Sequence, residues 1–258
     1  MTALLPVGLN FEVVTEALFN QLVGAVAITF TAAAMAGSAT LLAPTSVANL
    51  LVGLGIFGTG VDEGTTIIAI DPGGASITLS GPMNADTVNG DTTFTTGFLT
   101  TGRRVKHSND VPDQPALFLR RVGVTDQDED PFTVTTLHFE AWIYSNAGAD
   151  SDIAPDTILT GLEQLVRTSL LPNLYDEDGA RQTLATALAA LGYDPIYRCR
   201  IQGHSPVNPG DQGPQAKTVI PILVTLPGGT PHDHRRHRKH LVRRTDRHRP
   251  DRAEHRSL

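Results

Sequence analysis

The sequence predicts an α+β fold, with helices packed on one face of a mainly antiparallel sheet, a small all-β insertion, and a disordered basic C-terminal tail. Three observations carry this expectation. Apolar residues recur at helical spacing in an N-terminal segment and again after Pro155. Around Leu137–Tyr144 they alternate with period two. Residues 29–92 are instead dominated by Thr, Gly, Ser and Ala in short runs broken by turn signals. The implied organisation is a discontinuous α+β domain (1–28 and 93–227), an inserted β-rich module (29–92) and a tail (228–258).

In chain order, Asn10 is placed to cap a helix reaching about Val23, because Phe11, Val14, Leu18 and Leu22 share one helical face. The module follows, with strands expected at Thr65–Ile70 and Ser76–Leu79 around the turn Asp71-Pro72-Gly73-Gly74. A strand is expected from Ala116 to Val122 and a second from near Phe132. In the second, Leu137, Phe139, Ala141 and Ile143 alternate with His138, Glu140, Trp142 and Tyr144, which gives it two different faces. Pro155 suits a first helical turn, and Ile158, Leu159, Leu162, Leu165, Val166 and Leu170 mark a helix that Pro172 stops. A shorter helix (Thr183–Leu191) is expected to end at Gly192, followed by strands near Ile196–Ile201 and Thr218–Leu226. Pro221 lacks an N–H donor and so predicts an edge position for the last strand.

Charge is distributed steeply along the 258 residues. From His232 onward nine Arg and one Lys face four acids, a local +6, which leaves ten basic and twenty-three acidic groups, or −13, in the rest. Such a body repels nucleic acid, so polyanion contact is expected of the tail alone. Cys199, the single cysteine, excludes an internal disulfide and any Cys-based metal cluster. Met1–Pro6 lacks the basic segment of a secretory signal. Residues 22–43 carry no charge and are long enough to span a bilayer as a helix, but Thr29, Thr31, Gly37, Ser38 and Thr40 dilute them and no Lys or Arg flanks them. They read as a buried or β-rich segment, and no membrane partner is expected.

Each candidate for chemistry fails on context. Gly53-Leu54-Gly55-Ile56-Phe57-Gly58 has the spacing of a dinucleotide-binding motif, the basis of an alternative reading as a nucleotide-binding enzyme. That motif requires a following helix, whereas Thr59–Ile70 reads as turn plus strand. The acids Asp126, Asp128, Glu129 and Asp130 offer oxygen ligands for Ca²⁺, yet Pro131 and the absent turn glycine favour a solvated hairpin loop. Asp176-Glu177-Asp178-Gly179 reads as a turn. Cys199 lies between two arginines that would activate a thiolate, but within a strand it reads as a small buried hydrophobe. No catalytic residue, cofactor or metal is expected. The tail residues Arg235, Arg236, Arg238, Lys239, Arg243 and Arg244 are candidates for DNA or polyanion contact, against the plainer reading of a solvated extension.

Gly102-Arg103-Arg104-Val105-Lys106-His107, Asp110-Val111-Pro112 and Gln114-Pro115-Ala116-Leu117-Phe118 resemble a signature stretch of phage tail-terminator and minor-tail proteins. Trp142-Ile143-Tyr144, the helix from Pro155, Arg200-Ile201-Gln202-Gly203, Gly210-Asp211-Gln212 and Val219-Ile220-Pro221-Ile222 follow in that family's order. The resemblance covers 1–28 and 93–227. The module and the tail are not part of it.

The resemblance implies a non-enzymatic virion protein whose copies form a ring, commonly six-fold, that terminates the tail tube and joins the head-side connector. The implied partners are further copies, the tail tube protein, the connector protein and DNA passing through the lumen. The implied location is the head-proximal end of the tail, after assembly in the host cytoplasm. Other virion roles, as a head-tail connector or tube component, share ring assembly and stand as alternatives. Arg103, Arg104, Lys106, Trp142 and Tyr144 are the candidate interface residues, with a solvated strand end as the plain reading of the arginine pair. If the insertion is a loop tip whose ends lie close together, residues 30–91 should be removable at small cost.

Overall fold

The computed structural model describes residues 11–87, 89–129, 132–146, 155–170, 184, 186, 188, 198–203, 207–208 and 215–227. They form a mixed α/β structure of two helices and two mainly antiparallel sheets, richer in strand than in helix.

Helix α1 (Phe11–Gly24) buries Val14, Ala17, Leu18 and Leu22, the three-and-four spacing that puts them on one side. Glu12 in its first turn complements the helix dipole. Asn10, the expected cap, lies outside the described residues. After Gly24 the chain turns into strands rather than continuing as an apolar helix, because Thr and other β-branched residues suit a pleated surface. Among the described residues no helix is long and apolar enough to cross a membrane.

The first sheet comprises β1 (Thr29–Ala34), β2 (Thr40–Leu42), β3 (Gly55–Gly58), β4 (Ile67–Ile70), β5 (Ser76–Leu79) and β6 (Gly90–Gly97), ordered β3-β6-β1-β2-β5-β4. The two end strands also meet. Gly55 bridges Thr66, Ile67 N donates to Leu54 O at 2.9 Å, and Gly53 N donates to Ile67 O at 2.7 Å. The sheet thus curls towards a closed barrel, whose interior holds Phe30, Leu41, Ile56, Ile67, Ile77 and Phe94. The expected turn at Asp71 connects β4 and β5, with Gly74 at φ 72° and Ala75 N bonded to Asp71 Oδ2. First and last strands are neighbours, with Thr29 opposite Thr95, so the chain enters and leaves side by side. The sheet continues to Gly97, past the expected boundary at 92.

The second sheet comprises β7 (Thr100–Gly102), β8 (Ala116–Glu129), β9 (Phe132–Asn146), β10 (Arg198–Ile201), β11 (Val207–Asn208) and β12 (Gln215–Pro227). Its order is β10-β12-β9-β8-β7, with β11 also on β12, and only β7 runs parallel to its neighbour. The period-two reading of β9 holds. Leu137, Phe139, Ala141 and Ile143 join the main core, while Trp142 and Tyr144 face the other side with Phe118 and Val111.

Pro221 corrects one expectation, because β12 is an interior strand flanked by β9 and β10. The missing N–H is tolerated for a local reason. The Pro221 carbonyl faces the β10 side, where it accepts from Gln202 N at 2.9 Å, and its nitrogen points the same way. On that flank β10 ends at Ile201, opposite Ile222, and β11 pairs no further than Thr218, opposite Val207, so Pro221 falls in the gap between them.

Helix α2 (Pro155–Leu170) buries Ile158, Leu159, Leu162, Val166 and Leu170. Leu184 and Leu188 are helical and buried, one turn apart, Thr186 between them is helical and exposed, and the other residues of the expected Thr183–Leu191 helix lie outside the described residues, as does Asp176–Gly179. The barrel and α2 are in intimate contact. Gly53 has φ +90°, and a Cβ there would sit 2.4 Å from Ile158 Cγ2, while a Cβ on Gly161 would sit 2.8 Å from Leu51 Cδ1. One apolar core therefore runs from the barrel into the second sheet.

Candidate functional site

The segment that leaves β7 brings Arg103 over α1. Arg103 binds the carboxylate of Glu12 and reaches Glu16 Oε2 at 3.4 Å, and Arg121 of β8 approaches the other Glu12 oxygen at 3.7 Å. The Arg121 guanidinium also stands 5.8 Å from the Phe11 ring. The hydrogen bond from Arg103, then its charge, holds the Glu12 carboxyl below the usual carboxylate range. Arg103 therefore ties the 103–107 segment to α1 within the chain. Arg104 is exposed.

Lys106 is exposed through its side chain, while its carbonyl accepts the Tyr144 hydroxyl at 2.8 Å. Tyr144 itself is 2% exposed, tilted against Phe118 at 5.7 Å between centroids, and burial raises its pKa. The 103–115 segment lies over it, with Val105 and Val111 in the same small cluster and Gln114 Nε2 bonded to Val111 O at 2.9 Å. Tyr144 thus anchors a segment of its own chain.

Trp142 is half-buried and organises a polar cluster. Its Nε1 donates to Glu140 Oε2 at 2.9 Å, and the same oxygen accepts from Arg120 Nη2 at 2.7 Å. The Arg120 guanidinium and the Lys217 ammonium lie 5.6 and 5.8 Å from the indole centroid. Sequence reasoning found Trp142 and missed Arg120, Glu140 and Lys217. They come from three strands, and only the pairings Arg120↔Glu140 and Lys217↔Tyr144 bring them together. Trp142 and Arg120 are of the residue types enriched at the centres of protein interfaces.

The other candidates are placed as follows. Gly55–Gly58 is strand β3, paired with β6, and no helix follows it. Asp126 lies on β8 and accepts from Thr135 Oγ1 at 2.7 Å, within the β8–β9 hairpin. Among the described residues no group of three or more His, Cys, Asp or Glu could hold a metal ion. Cys199 is buried in β10, and burial pushes its thiol up to about 12, so it behaves as a small hydrophobe. Arg235, Arg236, Arg238, Lys239, Arg243 and Arg244 lie outside the described residues, as does Gly210-Asp211-Gln212.

No family model matches the chain, and no curated protein matches it. Fold and site together define a strand-rich mixed α/β protein with an aromatic and cationic cluster on one sheet.

Proposed function

We propose that this protein is a structural subunit of a long-tailed phage particle, forming a ring that terminates the tail tube and joins it to the head-side connector. One observation carries the reading. Segments that resemble the tail-terminator family, though far apart in sequence, gather on adjacent strands of a single sheet: Gly102 on β7, Ala116-Leu117-Phe118 on β8, Trp142-Ile143-Tyr144 on β9, Val219–Ile222 on β12 and Arg200-Ile201 on β10. The module that the resemblance omits, together with Thr93–Gly97 that follow it, forms a separate sheet with its ends side by side.

We further infer that α1 and α2 cover one face of that sheet. Thr218 donates to Glu163 of α2 at 3.0 Å, and Arg121 approaches Glu12 of α1. Across the ladder Thr218 stands opposite Ile143, which stands opposite Leu117, and Arg121 stands opposite Phe139. Leu117, Ile143 and Phe139 share one face by alternation, so both helices reach that face.

The ring is non-enzymatic, binds further copies, the tube protein and the connector protein, and lets DNA pass along a lumen whose acidic walls do not hold it. Negative-stain images and native mass of the purified protein, alone and mixed with tail tubes, test this. A six-fold ring seated on tube ends is expected. Rings bound at the connector alone, or a monomer that ignores tubes, would overturn it.

A further inference from the structure

The two sheets treat their edges in opposite ways. The first brings its end strands together through the Gly55–Thr66 bridge. Among the described residues the second is open at both ends. On its outer side β8 is paired with β7 only at Ala116–Phe118, so among the described residues Leu119–Glu129 has no strand on that flank, a stretch of about 35 Å. Val122 and Val124 on this stretch are 47% and 44% exposed. At the other end β10 is flanked by β12 alone among the described residues.

These two edges stand at the same height. Following the pairs across, Arg198 is level with Thr225, Thr136 and Thr125; Cys199 with Val224, Leu137 and Val124; Arg200 with Leu223, His138 and Gly123. Strand directions alternate from β8 through β9 and β12 to β10, so β10 of a second copy, brought beside β8 with the sheet continuing, would be antiparallel to it. The charges are complementary: β10 reads Arg-Cys-Arg-Ile, whereas on β8 Asp126 follows directly on Thr125, the residue level with Arg198.

We propose that the open edge of β8, at Gly123–Thr125, receives β10 of a neighbouring copy, extending the sheet from subunit to subunit. This rests on the ring reading and names its contact. Because the two edges are different surfaces, the contact is head-to-tail, the kind that propagates from copy to copy and that a closed ring requires, instead of ending at a dimer. The bulge between Arg121 and Gly123 and the charges of Arg120 and Arg121 guard the base of β8 against indiscriminate pairing. The segment beyond the bulge presents Val124 and Thr125, which fit the small-residue and polar faces of β10. In this register Cys199 lies beside Val124, and Arg198 beside Thr125.

The test is oxidative cross-linking of the full chain carrying Thr125→Cys and Arg198→Cys, with each single variant as control. Within one subunit these positions are three strands apart, about 14 Å, too far for a disulfide. The double variant should give a covalent ladder of oligomers on a non-reducing gel, with the unfolding midpoint of the reduced protein unchanged. Neither single variant should. Val124→Lys should abolish assembly without altering the subunit's unfolding. A ring by native mass without cross-links overturns the pairing and leaves the ring reading standing. Dimers from Thr125→Cys alone would show β8 against β8 and overturn it. Absence of both ring and cross-links, with tubes present, overturns both.

Discussion

Arg120 and Glu140 stand directly opposite each other on β8 and β9, Nη2 to Oε2 at 2.7 Å, and that same carboxylate oxygen holds the Trp142 indole at 2.9 Å. One oxygen therefore fixes both the guanidinium and the ring it approaches. Trp142 is the only tryptophan of the chain, so its fluorescence reports on this cluster alone. Glu140→Ala should shift the emission and lower stability by about 1 kcal/mol, since Arg120 is half in solvent and the pair is screened. Arg103→Ala should leave the emission unchanged. Identical spectra for Glu140→Ala and the parent protein would contradict this geometry.

Cys199 gives a pH-dependent prediction. Its folded pKa is raised from 9.0 to about 12, so the neutral thiol favours the folded state fully at pH values below 9. That contribution is lost as pH rises from 9 through about 12, because only the unfolded chain releases the proton early. Tyr144, raised by burial, adds in the same direction. Denaturant midpoints measured from pH 7 to 11 should be level and then fall above 9. At neutral pH a thiol reagent should label Cys199 only after unfolding, and rapid labelling of the native protein would refute its burial.

The barrel-to-helix contact is expected to be stabilising. Gly53→Ala meets both the positive φ and the Ile158 side chain, and should cost about 2–4 kcal/mol. Ile158→Ala should cost about 2–4 kcal/mol by leaving a cavity. Deleting residues 30–91 with a short linker would strip Leu50, Leu51 and Leu54 from the core and bare Ile158. Such a deletion should stay folded only when Ile158 is also replaced by a polar residue, which thermal unfolding of the two deletions can compare.

The basic tail should confer salt-sensitive retention on DNA. Shortening the chain after Thr230 should abolish it, because the remaining body is strongly acidic. Retention that survives this truncation would move the polyanion contact to the folded part.

Sequence periodicity was sufficient for the elements whose burial is one-sided. The stripes of α1 and α2 and the alternation of β9 are local patterns, and they recur in the structure at those residues. Pro221 was misread because a local rule, that proline avoids paired strands, cannot know that a neighbouring strand stops at Ile201. Closure of the first sheet was illegible for a similar reason, since the Gly55–Thr66 contact between consecutive strands closes a barrel only because the distant pairings of β3 with β6, β1 with β6 and β2 with β5 set β3 and β4 at opposite ends of the sheet. In the candidate site Trp142 was visible by residue type. Arg120, Glu140 and Lys217 were not, because cross-strand register is a long-range property.

Thr29 and Thr95, paired where the barrel joins the rest of the chain, also decide how that barrel would yield under tension. A pull transmitted through the two connections acts at adjacent points, across the strands and not along them. It loads the β1–β6 ladder at its first rung and then at each rung in turn, as a zip opens. The barrel would therefore peel from its attachment at modest force while the second sheet, whose long strands β8, β9 and β12 share load over many rungs, holds.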